Sequence, residues 1–337
     1  MKASTLLSIA RARVFSTPKP IAVGFELTHL CNLACSYCDR HTPLPKEMSL
    51  SEIFAAFSGL ERLGMREISL DGGEALAHRR IDEIVGFLRK RAIVVRLNTN
   101  GILLPKKKHL IPSFEKIKIS LDGPAEVHDR ARGPHAFERA VAGARLARDL
   151  GARVELTCVI GRHNADSVDA LLEIARSLEL GVIFQPARDS LFQGESGPGA
   201  AYRLDGQQVR AAFARVEAHK RAGNSVLNGW SSLRHFRSFP NDTPLPCAAG
   251  WINLTLDPEG NLYHCGQVNR RDKSRNLVEL GVEEAFNRLT RHGCQQCWCA
   301  RVVEENYAWG GQFAKSLPLP PAETQPEPER RRLAISR

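Results

Sequence analysis

The chain has 337 residues, 43% hydrophobic and 25% charged, an ordinary globular composition that excludes a wholly disordered protein. At roughly 150 residues per domain it divides into about two domains. Its net charge of +10 favours anionic partners, but the basic residues are scattered and aromatics are only 7%, so no specific nucleic acid is expected. No apolar run approaches the roughly 20 residues of a membrane span. The N-terminal stretch also lacks the apolar core and cleavage site of a secretory signal, so the expected location is cytoplasmic. In that reducing setting nine cysteines point to metal ligation rather than disulfides.

Residues 1–21 read as an N-terminal extension. Strand-like runs follow at 21–28, 67–71, 93–98, 116–121, 153–160 and 182–185, alternating with helical patterns. Ser49-Leu50-Ser51-Glu52 forms a capping box ahead of Ile53, Phe57 and Leu60, and Gly64 stops that helix. Val168, Leu171, Leu172, Ala175 and Leu178 make a second helical stripe. Val209, Phe213 and Val216 make a third, capped near Asp205. Six β/α units predict a parallel sheet covered by helices. Pattern alone does not separate an open doubly wound sheet from a partial barrel. Residues 223–245, rich in Ser, Asn and Pro, read as a linker. Runs at 252–256 and 262–264 then predict a hairpin across Asp257-Pro258-Glu259-Gly260-Asn261, followed by a short helix over 282–291. The Pro-rich stretch 316–337 reads as a mobile tail.

The cysteines fall into two groups. Cys31-Asn32-Leu33-Ala34-Cys35-Ser36-Tyr37-Cys38 follows the first predicted strand, where parallel α/β folds place their chemistry. Three thiols can hold one side of a compact metal cluster and leave one metal position without a protein ligand. A structural zinc takes four protein ligands, and only His29 and His41 are near enough to complete one. The second group is Cys247, Cys265, Cys294, Cys297 and Cys299, where two pairs of thiols can close an S4 site for zinc or iron–sulfur. Cys158 stands alone and reads as a buried strand residue.

CxxxCxxC with Tyr37 before its last cysteine resembles the radical S-adenosylmethionine (SAM) superfamily, and further matches follow in order: Asp71-Gly72-Gly73-Glu74, Leu97-Asn98-Thr99-Asn100-Gly101, and Ile119-Ser120-Leu121-Asp122-Gly123-Pro124 with Arg132. The resemblance spans residues 21–222. It implies a partial (β/α)6 TIM-like barrel over 22–222 and a [4Fe–4S] cluster on Cys31, Cys35 and Cys38, whose fourth iron binds SAM. It assigns SAM contacts to Tyr37, Gly72, Gly73, Glu74, Asn100, Ser120, Arg132 and Gln185, with the Glu74 carboxylate facing the SAM ammonium and Gln185 flanking adenine. Ala75 replaces the proline common after Gly-Gly-Glu.

The second cysteine group resembles a SPASM/twitch extension, implying a small α+β domain over 246–315 with one auxiliary [4Fe–4S] cluster. Its candidate ligands are Cys247, Cys265, Cys294 and Cys297, with Cys299 surplus or replacing Cys297. The activity the resemblance implies is reductive cleavage of SAM to a 5′-deoxyadenosyl radical, then hydrogen abstraction and an oxidative change of a small molecule, with an anionic one suited to the basic net charge. The alternative is maturation of a ribosomally made peptide. Relatives of that kind often carry a leader-binding domain ahead of the barrel, whereas here the first predicted strand begins at residue 21. The remote alternative is a non-catalytic iron–sulfur or zinc module. A flavodoxin- or ferredoxin-type protein is the implied electron donor.

Overall fold

The computed structural model describes residues 8, 12, 18–39, 46–188, 197–240, 245, 247–266, 273–289 and 297–309. His41, Cys294 and the tail 316–337 lie outside them. Six parallel strands stand side by side in chain order: β1 (Ala22–Glu26), β2 (Glu67–Asp71), β3 (Val94–Thr99), β4 (Lys116–Ser120), β5 (Val154–Ile160) and β6 (Val182–Pro186). The helices between them are α1 (Leu50–Leu63), α2 (Ile81–Lys90), α3 (Ala125–Arg132), α4 (Ala136–Asp149) and α5 (Val168–Ser177). α6 (Gly206–Arg221) follows β6. This is the partial (β/α)6 barrel. The expected capping box at Ser49 is formed, and Asp205 with Gln208 caps α6 in the same way.

Side-chain alternation along the strands gives the barrel two unlike faces. Phe25, Leu70, Leu97, Ile119, Leu156 and Phe184 point outward into one core with helix residues such as Phe57, Leu88, Leu171 and Phe213. Their neighbours in sequence, among them Ser69, Asn98, Lys118, Ser120 and Thr157, line the interior. Strands of a parallel sheet buried on both faces usually read as continuous apolar runs. Here the inner face is polar because it borders a cavity.

The C-terminal part departs from the sequence reading in three places. The stretch 223–245 is no simple linker, because it contains α7 (Trp230–Arg237). Leu233 and Phe236 fix that helix in the core, and the Phe236 ring lies 4.4 Å from that of Phe213 on α6. The hairpin forms as β7 (Asn253–Leu256) and β8 (Leu262–Tyr263), but β7 also pairs in parallel with β1, making one continuous eight-stranded sheet. A further short helix, α8 (Leu277–Leu280), precedes the expected one, which begins at Val282 after Gly281 and forms α9 (Val282–Asn287).

The last described helix, α10 (Ala300–Trp309), closes the barrel at the N-terminal ends of the strands. Its Arg301 reaches Glu67 of β2 at 3.4 Å and Glu305 at 2.6 Å, while Arg96 of β3 makes two 2.9 Å bonds to Glu67. Among the described residues no helix is long and apolar enough to cross a membrane.

Candidate active site

The loop after β1 carries Cys31, Cys35 and Cys38, all partly buried. Its root is docked against the turn that ends β2. The Gly73 N–H donates to the Thr28 carbonyl and the Glu74 N–H to the Leu30 carbonyl, both at 2.8 Å. Gly72 has φ +133°, and a Cβ there would sit 2.5 Å from the Thr28 oxygen; one on Gly73 would sit 2.5 Å from the Leu30 oxygen. Only glycines allow this approach. On the other side, the Ser36 backbone N–H and hydroxyl both donate to the Ala131 carbonyl of α3, at 2.8 and 3.1 Å. The result is a cavity of about 240 Å³ lined by the three thiols together with Tyr37, Gly72, Gly73, Asn100, Ser120 and Arg132.

Two expected contacts are placed differently. Glu74 is buried and does not line the cavity; its carboxylate accepts from Thr99 Oγ1 and the Asn100 N–H, each at 2.8 Å, and from the Leu76 N–H at 3.2 Å. It therefore fixes the end of β3. Burial pushes this carboxyl up to about 7, against the lowering effect of those three bonds. Gln185 lines a different cavity, because β6 lies at the far edge of the barrel strands from β1 and its cysteine loop.

The other predicted contacts converge on the cysteine loop. Tyr37 donates its hydroxyl to Asp122 at 2.8 Å, and the Arg132 guanidinium lies 5.6 Å from the centre of its ring. Arg132 binds Asp122 through Nε at 2.6 Å and Nη2 at 3.3 Å. Burial disfavours the Asp122 charge, yet Arg132 beside it holds the carboxyl down to about 2. Asp122, to which the motif assigns no SAM contact, is the anchor of Arg132. Asn100 uses its side chain within the protein, donating to Asn32 at 2.9 Å and accepting from the Ile102 N–H at 3.0 Å. Cys158 is buried in β5, as expected.

Burial raises the Cys31 thiol and pushes Cys35 up to about 12, so metal binding must displace protons from both. The donor set fits a cluster. The three sulfurs are soft, line one cavity, and have glycines and a cation opposite them. Among the described residues no three His, Cys, Asp or Glu side chains are gathered as ligands of a single ion.

A second cavity of about 300 Å³ occupies the barrel interior, walled on one side by β1–β6 and on the other by β7, Cys265, Cys299 and α10. It shares Asp71, Asn98, Ser120 and Val159 with the cysteine-loop cavity. Cys297 is instead buried, with its thiol 3.8 Å from the Cys299 carbonyl. Of the C-terminal acids, Glu305 lines the cavity, whereas Glu304 accepts from the Gly229 N–H at 2.6 Å and Ser232 Oγ at 2.7 Å.

Residues 25–175 match the radical SAM superfamily. That stretch is the domain of radical SAM enzymes. Enzymes of this kind use a [4Fe–4S] cluster and SAM. The chain is similar to the PqqA peptide cyclase of Ruegeria pomeroyi, at 28% identity over 336 residues, covering 92% of this chain and 87% of that protein. It is also similar to the mycofactocin maturase MftC of Mycolicibacterium smegmatis, at 28% identity, covering 73% of this chain and 64% of that protein. The solved structure of anSMEcpe with bound AdoMet superimposes with a TM-score of 0.64 at 18% identity, over 88% of this chain and 93% of that one. That likeness concerns the fold.

Proposed function

We propose that this radical SAM enzyme modifies a peptide, with the reacting residue held in the barrel cavity. The observation that carries the reading is the shared wall. A group seated in the larger cavity borders the cysteine-loop site through Asp71, Asn98, Ser120 and Val159. The similarity to a peptide cyclase extends over 92% of this chain, which favours a peptide over the small-molecule reading.

Cys31, Cys35 and Cys38 would hold the cluster, with SAM against Tyr37, the Gly72–Gly73 turn, Ser120 and Arg132. Bound there, cluster and SAM supply a 5′-deoxyadenosyl radical on one-electron reduction. The protein's own part is positioning. Asp122 orients the Arg132 cation toward the cavity, where it can bind the SAM carboxylate. Glu74 fixes Thr99 and Asn100, and Gly72 with Gly73 keeps the cysteine loop close to the strand ends. An auxiliary cluster fits the C-terminal thiols through Cys247, Cys265, Cys299 and Cys294, with Cys297 serving the core. Cys265 and Cys299 support this set because both face the barrel cavity. A flavodoxin- or ferredoxin-type protein is the proposed reductant, and the +10 net charge suits an acidic partner.

Peptide mass spectrometry of a deletion strain beside its parent tests the substrate. A peptide present in modified form in the parent and unmodified in the deletion strain is expected. A small metabolite that alone changes between the two strains overturns the peptide reading.

A further inference from the structure

Strand β4 reads Lys116-Ile117-Lys118-Ile119-Ser120, and its alternation turns Lys116, Lys118 and Ser120 to the barrel interior. Lys116 is paired with Glu155 of β5. Lys118, one step closer to the strand end, lines the barrel cavity and has no hydrogen bond or ion pair among the described residues. The nearby carboxylates make their bonds and ion pairs elsewhere, though Glu155 leaves its Oε2 without a partner among the described residues. Glu155 stands opposite Lys118 in register but takes Lys116 and lies 3.7 Å from Arg153. Glu304 is held by Gly229 and Ser232, and Glu305 by Arg301 and by Asn253 at 3.4 Å. On the same wall, the Thr157 hydroxyl oxygen is buried with no hydrogen-bond partner among the described residues. Thr157 pairs in register with Ser120, so it is also one step closer to the strand end than Glu155.

We infer that Lys118 and Thr157 form a subsite for a carboxylate of the substrate, so that the enzyme selects a peptide with an acidic side chain at the position held in the barrel. The inference rests on the peptide reading for its substrate class. Burial pushes the Lys118 ammonium down to about 8, with the Arg301 charge adding to the effect and the Cys299 and Glu155 charges opposing it, so an anion bonded there gives this cation the direct partner it lacks among the described residues. A backbone carbonyl would satisfy a donor without neutralising the charge. A doubly charged phosphate would face Glu26, Asp71 and Glu305 across the same cavity. A single carboxylate matches one ammonium and one hydroxyl. The SAM carboxylate is not the ligand, because Lys118 is absent from the cavity that holds the three thiols.

The test uses anaerobic holoenzyme with SAM and two fluorescein-labelled peptide pools, randomised except for a central Glu in one and Gln in the other. Fluorescence anisotropy should show the wild type binding the Glu pool about tenfold more tightly, as a charge-assisted contact provides. Lys118→Met should bring the ratio to about one, and Lys118→Arg should retain a preference for Glu, since Arg keeps the cation. Matching circular dichroism and iron content control for folding. Pools that bind equally to the wild type, or a preference for Glu unchanged in a folded Lys118→Met, overturn the subsite and leave the peptide reading standing. If neither pool binds, glutarate titrated by calorimetry decides. Binding to the wild type but not to Lys118→Met keeps the subsite and rejects peptides, and no glutarate binding overturns the subsite.

Discussion

Replacing Asp122 by Asn removes one charge from an ion pair that is almost wholly buried. The Asp122 side chain is 0% exposed and that of Arg132 9%, with Nε and Oδ2 2.6 Å apart. Asn keeps an acceptor for Tyr37, so the substitution isolates the charge from the hydrogen bond. Breaking a buried pair by removing one partner costs about 3–5 kcal/mol, because the surviving charge has neither water nor counter-ion. For 337 residues the unfolding entropy is about 0.7 kcal/mol/K. The expected fall in Tm is therefore about 4–7 °C. A second variant, Asp122→Asn with Arg132→Met, removes both charges and should melt higher than Asp122→Asn alone. Circular dichroism melts of the anaerobically reconstituted proteins measure both. An Asp122→Asn protein that melts with the wild type, or a double variant less stable than the single one by the full cost of a second independent lesion, refutes the reasoning.

The raised Glu74 carboxyl, about 7 against an ordinary 4.5, means the folded state holds a proton that the unfolded chain has released between those values. Wild-type stability should therefore fall by about 3 kcal/mol from pH 4.5 to pH 7 relative to Glu74→Gln, and parallel urea-denaturation profiles of the two proteins would refute this. Gly72→Ala places a Cβ 2.5 Å from the Thr28 carbonyl, so SAM affinity by equilibrium dialysis should drop at least about tenfold; unchanged affinity would mean the turn has room. Replacing Cys31, Cys35 and Cys38 together by Ala should lower iron from about eight to about four per chain and abolish 5′-deoxyadenosine formation, whereas zinc without iron in the wild type would reject the cluster. Cys299→Ala should lose the auxiliary iron while Cys297→Ala retains it, and the reverse result would exchange their roles.

The barrel strands are legible as short apolar or alternating runs, with period two clear in Glu67–Asp71 and Lys116–Ser120, and the Ser49 and Asp205 caps are legible because their partners lie three residues away. The cysteine loop and the Gly-Gly turn were legible as motifs. What escaped the sequence depends on pairings distant along the chain. Nothing local to Asn253–Leu256 says that it pairs with Ala22–Phe25, so the hairpin was read as part of a separate domain. Glu74 was read as a ligand-facing acid because its targets, Thr99 and the Asn100 N–H, lie on another strand. The helix Trp230–Arg237 was hidden by the polar residues around Leu233 and Phe236.

Alternation also explains why the cavity side chains were hard to assign. In Lys116-Ile117-Lys118-Ile119-Ser120 the period separates two faces but does not say which one meets water, core or substrate. That is decided by what covers each face. Helices bury Ile117 and Ile119 on the outside. On the inside, α10 closes the floor through Arg301, which joins Glu67 and Glu305 while Glu67 also takes Arg96. The lower interior is thereby held by ion pairs, and Lys118 just above it lines the cavity without one among the described residues. The same network ties α10, and so Cys299 immediately before it, to β2. Cys299 is therefore positioned by the barrel floor, and the polar inner wall that a core would not tolerate is what gives the cavity between the cysteine loop and Cys299 its chemistry.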